Sequence, residues 1–194
     1  MKNDIVLAGV GGQGILTIAA IVGRAAVGRG LNVKQSEVHG MAQRGGSVSS
    51  HLRLSSDTIW SDLIPLGGAD VLLSVEPLEA LRHMAQLAPN GVLLATDVPI
   101  TNIGDYPDLE AIKAEIRRYP RQVLINADQM AKDAGSIRAM NMVMLGALSC
   151  FLDLPVDTLT GTIQDVFARK GDKVVEVNLK AFAAGRAAGQ TVER

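Results

Sequence analysis

Several residue types are scarce in this chain of 194 residues. It has one cysteine, Cys150, and only 3% aromatic residues. One thiol cannot form a disulfide within the chain, hold an iron–sulfur cluster or complete a cysteine-based zinc site by itself. The formal net charge is −1, which leaves no basic surplus to neutralise nucleic-acid phosphates. No apolar run reaches the ~18 residues of a membrane-spanning helix. The composition therefore excludes a disulfide scaffold, a nucleic-acid-binding protein and a membrane-spanning protein.

Hydrophobic residues are nonetheless plentiful, at 47% of the chain. They are ample for a packed core, which must be built mainly from Ala, Val, Leu, Ile and Met. The length predicts a single domain over residues 1–194. Because the chain enters an apolar strand directly after Met1-Lys-Asn-Asp, without a signal-peptide pattern, we expect a cytoplasmic protein.

A glycine turn near the N-terminus organises the sequence. Residues 5–10 are an apolar run typical of a strand buried on both faces, and a helical pattern covers residues 15–29. Between them, Gly9, Gly11 and Gly14 fit G-x-G-x-x-G, which permits close approach of an anion to the helix N-terminus. Ile15 stands where a phosphate-binding P-loop has lysine, so the sequence does not predict an ATPase. Many α/β domains carry such glycines without binding a nucleotide, and the turn alone leaves both possibilities open.

The later apolar runs predict a parallel sheet. Residues 71–75, 92–96 and 123–126 are short and apolar, and helical stretches at 78–87 and 109–118 separate them. Glu76, Asp97 and Asn126 lie at or directly after the ends of these runs. Ligands bind at the carboxyl ends of such strands, so we expect the three side chains to rim the same crevice as the glycine turn.

The remaining segments complete the predicted fold. Residues 31–38 form a polar strand near an edge, and the alternation over 48–62 indicates an antiparallel β-hairpin inserted at one side of the sheet. Residues 138–152 (Met-rich and apolar all round), 156–169 and 173–189 are predicted as C-terminal helices. The expected fold class is α/β: a three-layer Rossmann-like domain with a mainly parallel sheet, an antiparallel β-hairpin insertion and C-terminal helices.

A second motif lies at residues 36–47, SEVHGMAQRGGS. Arg44 offers a planar fork of donors suited to a carboxylate or phosphate, and Gly45 and Gly46 let the backbone approach a ligand or another subunit. Alternatively, Arg44 braces its own loop. We favour the cleft, and we expect the loop to lie close to the glycine turn.

Three further groups have alternative interpretations. Glu37, near the end of the second strand, would suit a stand-alone nucleotide-binding oxidoreductase, although a long glycine loop follows it rather than a regular crossover. His39 and His51 are either acid–base groups or hydrogen-bonded scaffold residues, and we favour the scaffold. The methionines of residues 138–152 are interpreted as core residues, and no metal site is predicted.

Residues 9–14, 36–48, 141–146 and 178–182 together resemble one protein family. In this order they are similar to the gamma-type subunit of 2-oxoacid:ferredoxin oxidoreductases, and most closely to the small (beta) subunit of indolepyruvate ferredoxin oxidoreductase. The stretch at 36–48 is the most specific of the four. The resemblance implies a heterooligomeric enzyme that oxidatively decarboxylates a 2-oxoacid (indolepyruvate, pyruvate or a related acid) with coenzyme A (CoA). The products are acyl-CoA, carbon dioxide and reduced ferredoxin.

The resemblance also implies how the work is divided. Thiamine diphosphate, Mg²⁺ and [4Fe-4S] clusters belong to a companion subunit, and this chain alone is expected to be inactive. No catalytic residue is assigned in this chain. The residues expected to face the companion and the shared cleft are Gly11, Gly12, Gln13, Gly14, Glu37, His39, Gln43, Arg44, Gly45 and Gly46. Without its companion the chain is expected to form a homodimer, and a purely non-catalytic assembly subunit is the remaining alternative.

Overall fold

A mixed β-sheet forms the middle layer of the structure, a computed structural model that describes residues 1–39, 45–101 and 103–192. Within these residues the sheet has the order β2-β3-β1-β4-β5-β6. β1, β4, β5 and β6 are parallel, and β3 is antiparallel to both β1 and β2. The strands are β1 (Lys2–Val10), β2 (Asn32–His39), β3 (Ser47–Ser55), β4 (Ala69–Ser74), β5 (Leu87–Thr96) and β6 (Gln122–Ile125).

Helices cover both faces of this sheet. They are α1 (Ile15–Gly28), α2 (Pro77–Arg82), α3 (Leu109–Arg117), α4 (Ala127–Asp133), α5 (Met140–Leu148), α6 (Val156–Phe167) and α7 (Asp172–Gly189). Successive side chains of β1 point to opposite faces. Ile5 and Leu7 join the core under α1 and α4 to α7, whereas Val6 and Ala8 join the core under α2 and α3. None of the helices that the structure describes is long and apolar enough to cross a membrane.

The predicted α/β fold class and the four parallel strands are confirmed, as is the position of β2 at an edge. The predicted hairpin over residues 48–62 is wrong. β3 forms, but residues 58–62 are not a strand, and β3 pairs instead with β2 and lies between β2 and β1. Polar and apolar residues alternate along β3, and this pattern predicted that the polar face of the strand is exposed to solvent.

A loop covers that polar face instead. Arg53 of β3 donates to the carbonyl oxygens of Ser61 and Leu63, both at 3.1 Å, and His51 accepts from the N–H of Ile64 at 2.9 Å. Leu52 and Leu54, on the opposite face of β3, are buried in the core under α1. Both faces of β3 are therefore covered, as an internal strand requires.

The Met-rich helix α5 is a core element. Met142 and Met144 are almost completely buried, which agrees with their interpretation as core residues. Helix α5 therefore presents little apolar surface for contact with another chain. α7 packs closely on α5 because each helix places a glycine against the backbone of the other. A Cβ on Gly185 of α7 would overlap the carbonyl oxygen of Val143 in α5, and a Cβ on Gly146 of α5 would overlap the carbonyl oxygen of Phe182 in α7.

Large exposed apolar side chains occur instead after β3. Trp60, the one tryptophan of the sequence, is 89% exposed, and Leu63 and Leu66 are also exposed. The backbone that carries them is anchored by Arg53 and by Lys34, whose ammonium group donates to the carbonyl oxygen of Trp60 at 3.4 Å. We call these three side chains the Trp60 patch.

The α5–α7 contact makes a prediction for stability. Gly185→Ala must push two backbones apart, and we expect it to lower the free energy of unfolding by ~1–3 kcal/mol or more. The matched control is Gly161→Ala in α6, where an added Cβ meets no atom within 4 Å. Alanine there is expected to stabilise by ~0.5–1 kcal/mol, because it favours the helix. Urea unfolding of both variants measures the difference, and equal stabilities would contradict the packing described here.

Candidate functional site

The glycine turn lies where β1 ends and α1 begins. Gly12 and Gly14 have φ values of +104° and +75°, a conformation that glycine adopts without strain. Gly14 is the N-cap residue of α1 and provides no side-chain cap for the first N–H groups of the helix. A Cβ on Gly12 would point into open space, so the backbone there is accessible to a ligand.

Gln13 gives this turn its shape. Its side-chain carbonyl accepts from the N–H of Val10 at 2.7 Å, and its amide nitrogen donates to the carbonyl of Val75 at 2.6 Å. The side chain thus joins the ends of β1 and β4. Gln13 therefore lies at the predicted site, but both of its side-chain polar atoms are used in hydrogen bonds to the backbone of this chain.

The end of the second motif contacts the glycine turn directly. The N–H of Gly11 donates to the carbonyl of Gly46 at 2.8 Å, and the N–H of Gly45 donates to the carbonyl of Gly11 at 3.2 Å. The expected proximity of the two motifs is therefore confirmed at these residues. Gln43 and Arg44 lie outside the described residues, and so does the side chain of His39, whose backbone belongs to β2.

A pocket of about 330 Å³ opens at this junction. We call it the glycine pocket. Its polar surface comes from the turn backbone and from Glu37, and its apolar wall includes Leu16 and Val48. The lining residues are Val10, Gly11, Gly12, Gly14, Ile15, Leu16, Glu37 and Val48. An uncapped helix N-terminus favours an anion, and the exposed backbone at Gly12 permits close contact with one.

Asn141 is a site residue that the sequence reasoning did not single out. It lies in the first turn of α5, and its amide nitrogen donates to the carbonyl of Gly14 at 3.2 Å. A Cβ on Gly14 would come within 2.5 Å of that nitrogen, so glycine is required for this approach. The side-chain oxygen of Asn141 is buried without a hydrogen-bond partner in the described structure, and Asn141 does not line the glycine pocket itself. A polar residue at the start of an otherwise apolar helix was the available signal.

A second, smaller pocket of about 160 Å³ lies on the other side of Gly45 and Gly46. Glu76 is 1% exposed there and caps α2, accepting from the N–H of Glu79 at 2.8 Å and from the Tyr106 hydroxyl at 2.5 Å. Burial and the contact with Glu76 raise the pKa of Tyr106, so its hydroxyl stays protonated and donates. The Ser47 hydroxyl donates to Glu79, which ties the end of the second motif to α2.

The predicted crevice shared by Glu76, Asp97 and Asn126 does not form. Glu76 lines the smaller pocket, and the other two side chains line neither pocket. Asn126 caps α4 by accepting from the N–H of Gln129 at 2.8 Å. The prediction was wrong because two of these polar groups satisfy the first N–H groups of the helices that follow their strands.

His51 is a scaffold residue. It is 7% exposed, and its Nδ1 accepts from the N–H of Ile64. Burial lowers the pKa of His51, and the positive charges of His83 and Arg53 lower it further. Burial also lowers the pKa of His83, against the opposing effect of Glu79.

Over the residues the structure describes, no group of His, Cys, Asp and Glu is arranged to hold a metal ion.

Residues 4–188 match the family described as pyruvate ferredoxin/flavodoxin oxidoreductase, and the chain belongs to this family. Among its relatives is indolepyruvate oxidoreductase subunit IorB of Archaeoglobus fulgidus. The two are 40% identical over an alignment that covers 95% of this chain and 94% of that protein.

Solved structures agree with this assignment. The gamma subunit of a keto/oxoacid ferredoxin oxidoreductase from Geobacter sulfurreducens superimposes with a TM-score of 0.71 at 26% identity, over 98% of this chain and 99% of that one. The 2-oxoglutarate:ferredoxin oxidoreductase of Magnetococcus marinus, with 2-oxoglutarate, coenzyme A and succinyl-CoA bound, superimposes with a TM-score of 0.80 at 27% identity. The match covers 99% of this chain and 32% of that larger chain.

The lowered pKa values of His51 and His83 make a prediction for pH dependence. A histidine whose folded pKa is lowered binds fewer protons than in the unfolded chain, so its stabilising effect is complete above the unfolded pKa of about 6.5 and is lost as the pH falls below it. We expect the free energy of unfolding to decrease between pH 7 and pH 5, by at most about 1.4 kcal/mol per pH unit for each histidine.

His51→Asn isolates the contribution of His51, because the Asn oxygen replaces Nδ1 as an acceptor but does not titrate. Urea unfolding at several pH values should give a shallower decrease for this variant. An unchanged slope would contradict the role of His51.

Proposed function

We propose that this chain is the gamma-type subunit of a CoA-dependent 2-oxoacid:ferredoxin oxidoreductase with an indolepyruvate or arylpyruvate type of substrate. The enzyme would convert the 2-oxoacid and CoA to acyl-CoA, carbon dioxide and reduced ferredoxin. The observation that carries the proposal is the 40% identity to an indolepyruvate oxidoreductase subunit over nearly the full length of both chains. The cytoplasmic location expected from the sequence stays part of this proposal.

The residues of this chain do not fit the redox cofactors. One cysteine cannot hold a [4Fe-4S] cluster, and no Gly-Asp-Gly sequence with a following Asn is present for thiamine diphosphate and Mg²⁺. These groups are assigned to a companion subunit. The task that remains for this chain is to bind and orient CoA and to close the shared cleft.

The glycine pocket supports a role in CoA binding. CoA carries a pyrophosphate, which suits the uncapped N-terminus of α1 and the open backbone at Gly12. At about 330 Å³ the pocket is near the lower limit of ~300 Å³ for ligand sites, so it suits part of CoA, and the rest would contact the loop at residues 40–46 and the companion.

Self-sufficient nucleotide-binding oxidoreductases remain the second candidate, because Glu37 lines the same pocket as Gly11 and Gly12. The sheet order counts against it. A dinucleotide site uses an acidic residue on the strand next to β1, whereas β3 lies between β2 and β1 here. Glu37 is therefore two strand spacings, roughly 10 Å, from β1.

The Trp60 patch supports the subunit role. A tryptophan that is 89% exposed on an anchored backbone is unusual for a monomer surface and typical of an interface anchor. In the Magnetococcus protein the matching part is about a third of a longer chain, so further protein is attached to it. We assign the patch to the companion subunit, and the homodimer expected for the isolated chain would use the same surface.

Arg44→Ala tests the cleft. A charge-assisted contact contributes about 1.5–3 kcal/mol, so its loss should lower kcat/KM for CoA or the oxoacid roughly ten- to a hundredfold in the reconstituted enzyme. The variant should assemble normally and keep its melting temperature. Unchanged turnover with a lowered melting temperature would instead assign Arg44 to bracing its loop.

Trp60→Ser tests the interface. Loss of an interface tryptophan commonly costs about 2 kcal/mol or more, so the Kd for the companion subunit should rise by more than about tenfold. The matched control is Val27→Ser on α1, another exposed apolar residue, at 62% exposure. Sedimentation of the mixed subunits measures assembly. Normal assembly of Trp60→Ser would show that the Trp60 patch is not part of the interface. Failure of the unaltered chain to assemble with the companion subunit would contradict the subunit role itself.

A further inference from the structure

A third cavity lies between the segment before α5 and the junction of α6 with α7, and its volume is about 350 Å³. We call it the basic pocket. Three cationic side chains line it: Arg138, Lys170 and Lys173. None of its lining residues is an aspartate or a glutamate, and none of them lines the glycine pocket.

The cations of the basic pocket are not neutralised within the described structure by a short ion pair. On α7, Asp172 adjoins Lys173 but does not line the pocket, and the carboxylate of Glu176 bonds instead to Lys180 at 2.7 Å. Lys173 adds only a minor contribution to the lowered pKa of Glu176, after the dominant contact with Lys180. Like charges around one cavity repel each other, and a bound anion relieves that repulsion.

The rest of the lining is suited to a planar organic group. Val174 and Val177 contribute half-buried apolar surface, and beneath them lies Phe167, which is buried and has the Lys170 ammonium over its ring at 5.2 Å. Asn178, almost fully buried, adds an amide to the wall. An inorganic ion would use the cations but leave this apolar surface unfilled.

We infer that the basic pocket binds a nucleoside phosphate: its phosphates contact Arg138, Lys170 and Lys173, and its base packs on Val174 and Val177. The volume lies within the ~300–1,000 Å³ of ligand sites, and a few polar groups on a mainly apolar wall are their usual composition. Arg138 is one helical turn before Asn141, which contacts Gly14, so the two pockets flank the start of α5.

This position allows two sources for the same chemistry. The nucleotide is either the adenosine phosphate end of a CoA whose other end occupies the glycine pocket, or a separate nucleotide. The inference that the pocket binds a nucleoside phosphate does not depend on the proposed function, because it can be tested on this chain without the companion subunit.

Binding of ADP to the full chain, measured by isothermal titration calorimetry, tests the inference. We expect saturable binding that weakens at high salt and falls at least tenfold in Lys170→Glu/Lys173→Glu. The matched control is Arg24→Glu/Arg29→Glu, which makes the same total change of charge at two exposed positions of α1 and its C-cap, outside the pocket, and should bind ADP nearly as the unaltered chain does. Lys170→Gln/Lys173→Gln provides a milder variant should the glutamates impair folding.

Pyrophosphate, titrated in parallel, should bind more weakly than ADP because it lacks the base. Competition with CoA separates the two sources: competitive binding of ADP and CoA identifies the CoA adenosine end, and simultaneous binding identifies a separate nucleotide. The inference would be overturned if the unaltered chain did not bind ADP. It would also be overturned if the affinity for ADP were the same in the unaltered chain and in both variants that change Lys170 and Lys173. Because no turnover is measured, such a failure leaves the proposed function untouched, and loss of turnover in the assembled enzyme leaves this inference untouched.

Discussion

Two backbone hydrogen bonds between Gly11 and the pair Gly45 and Gly46 determine where the candidate site lies. They lie directly beyond the last pair of the antiparallel ladder of β1 and β3, Val10 with Ser47. The two motifs, more than thirty residues apart in sequence, are thus joined by backbone hydrogen bonds rather than by side chains. β3 must lie beside β1 for this to happen, and the unusual sheet order is therefore a requirement of the site.

Other elements then fix the geometry around that junction. Gln13 joins the ends of β1 and β4, and Asn141 reaches Gly14 from α5 on one face of the sheet. α5 holds its position because α7 packs on it through Gly146 and Gly185, where no side chain separates the backbones. Changes in this distant contact would move Asn141 and the glycine pocket together.

The sequence predicted those parts of the fold for which a residue pattern is compatible with only one kind of structural element. Continuous apolar runs before turns identified β1, β4, β5 and β6, and the polar character of β2 indicated its edge position. The alternation in β3 identified a strand but could not reveal that residues 58–64 cover its polar face, because Arg53 and His51 bond to backbone groups that have no sequence signature. The short helix α4 was missed since Asn126, its cap, was interpreted as a ligand-facing residue.

For the candidate site, the sequence predicted that the two motifs lie close together, and they do, with Gly11, Gly12, Gly14, Glu37 and Gly46 at or near one junction. The roles of these residues toward a ligand stay predictions. Whether a polar side chain bonds to its own chain or faces a ligand depends on distances between atoms, which a linear pattern does not contain. Gln13 and Asn141 differ in this respect: both polar atoms of Gln13 are engaged, and one of Asn141 is not.

Both ends of the loop between β2 and β3 are anchored in the sheet, by the pairing of His39 with Val48 and by the bonds of Gly45 and Gly46 to Gly11. All of these anchoring bonds are made by backbone groups. A side-chain substitution between the anchors therefore leaves the bonding partners in place, so an effect on binding can be separated from an effect on the fold.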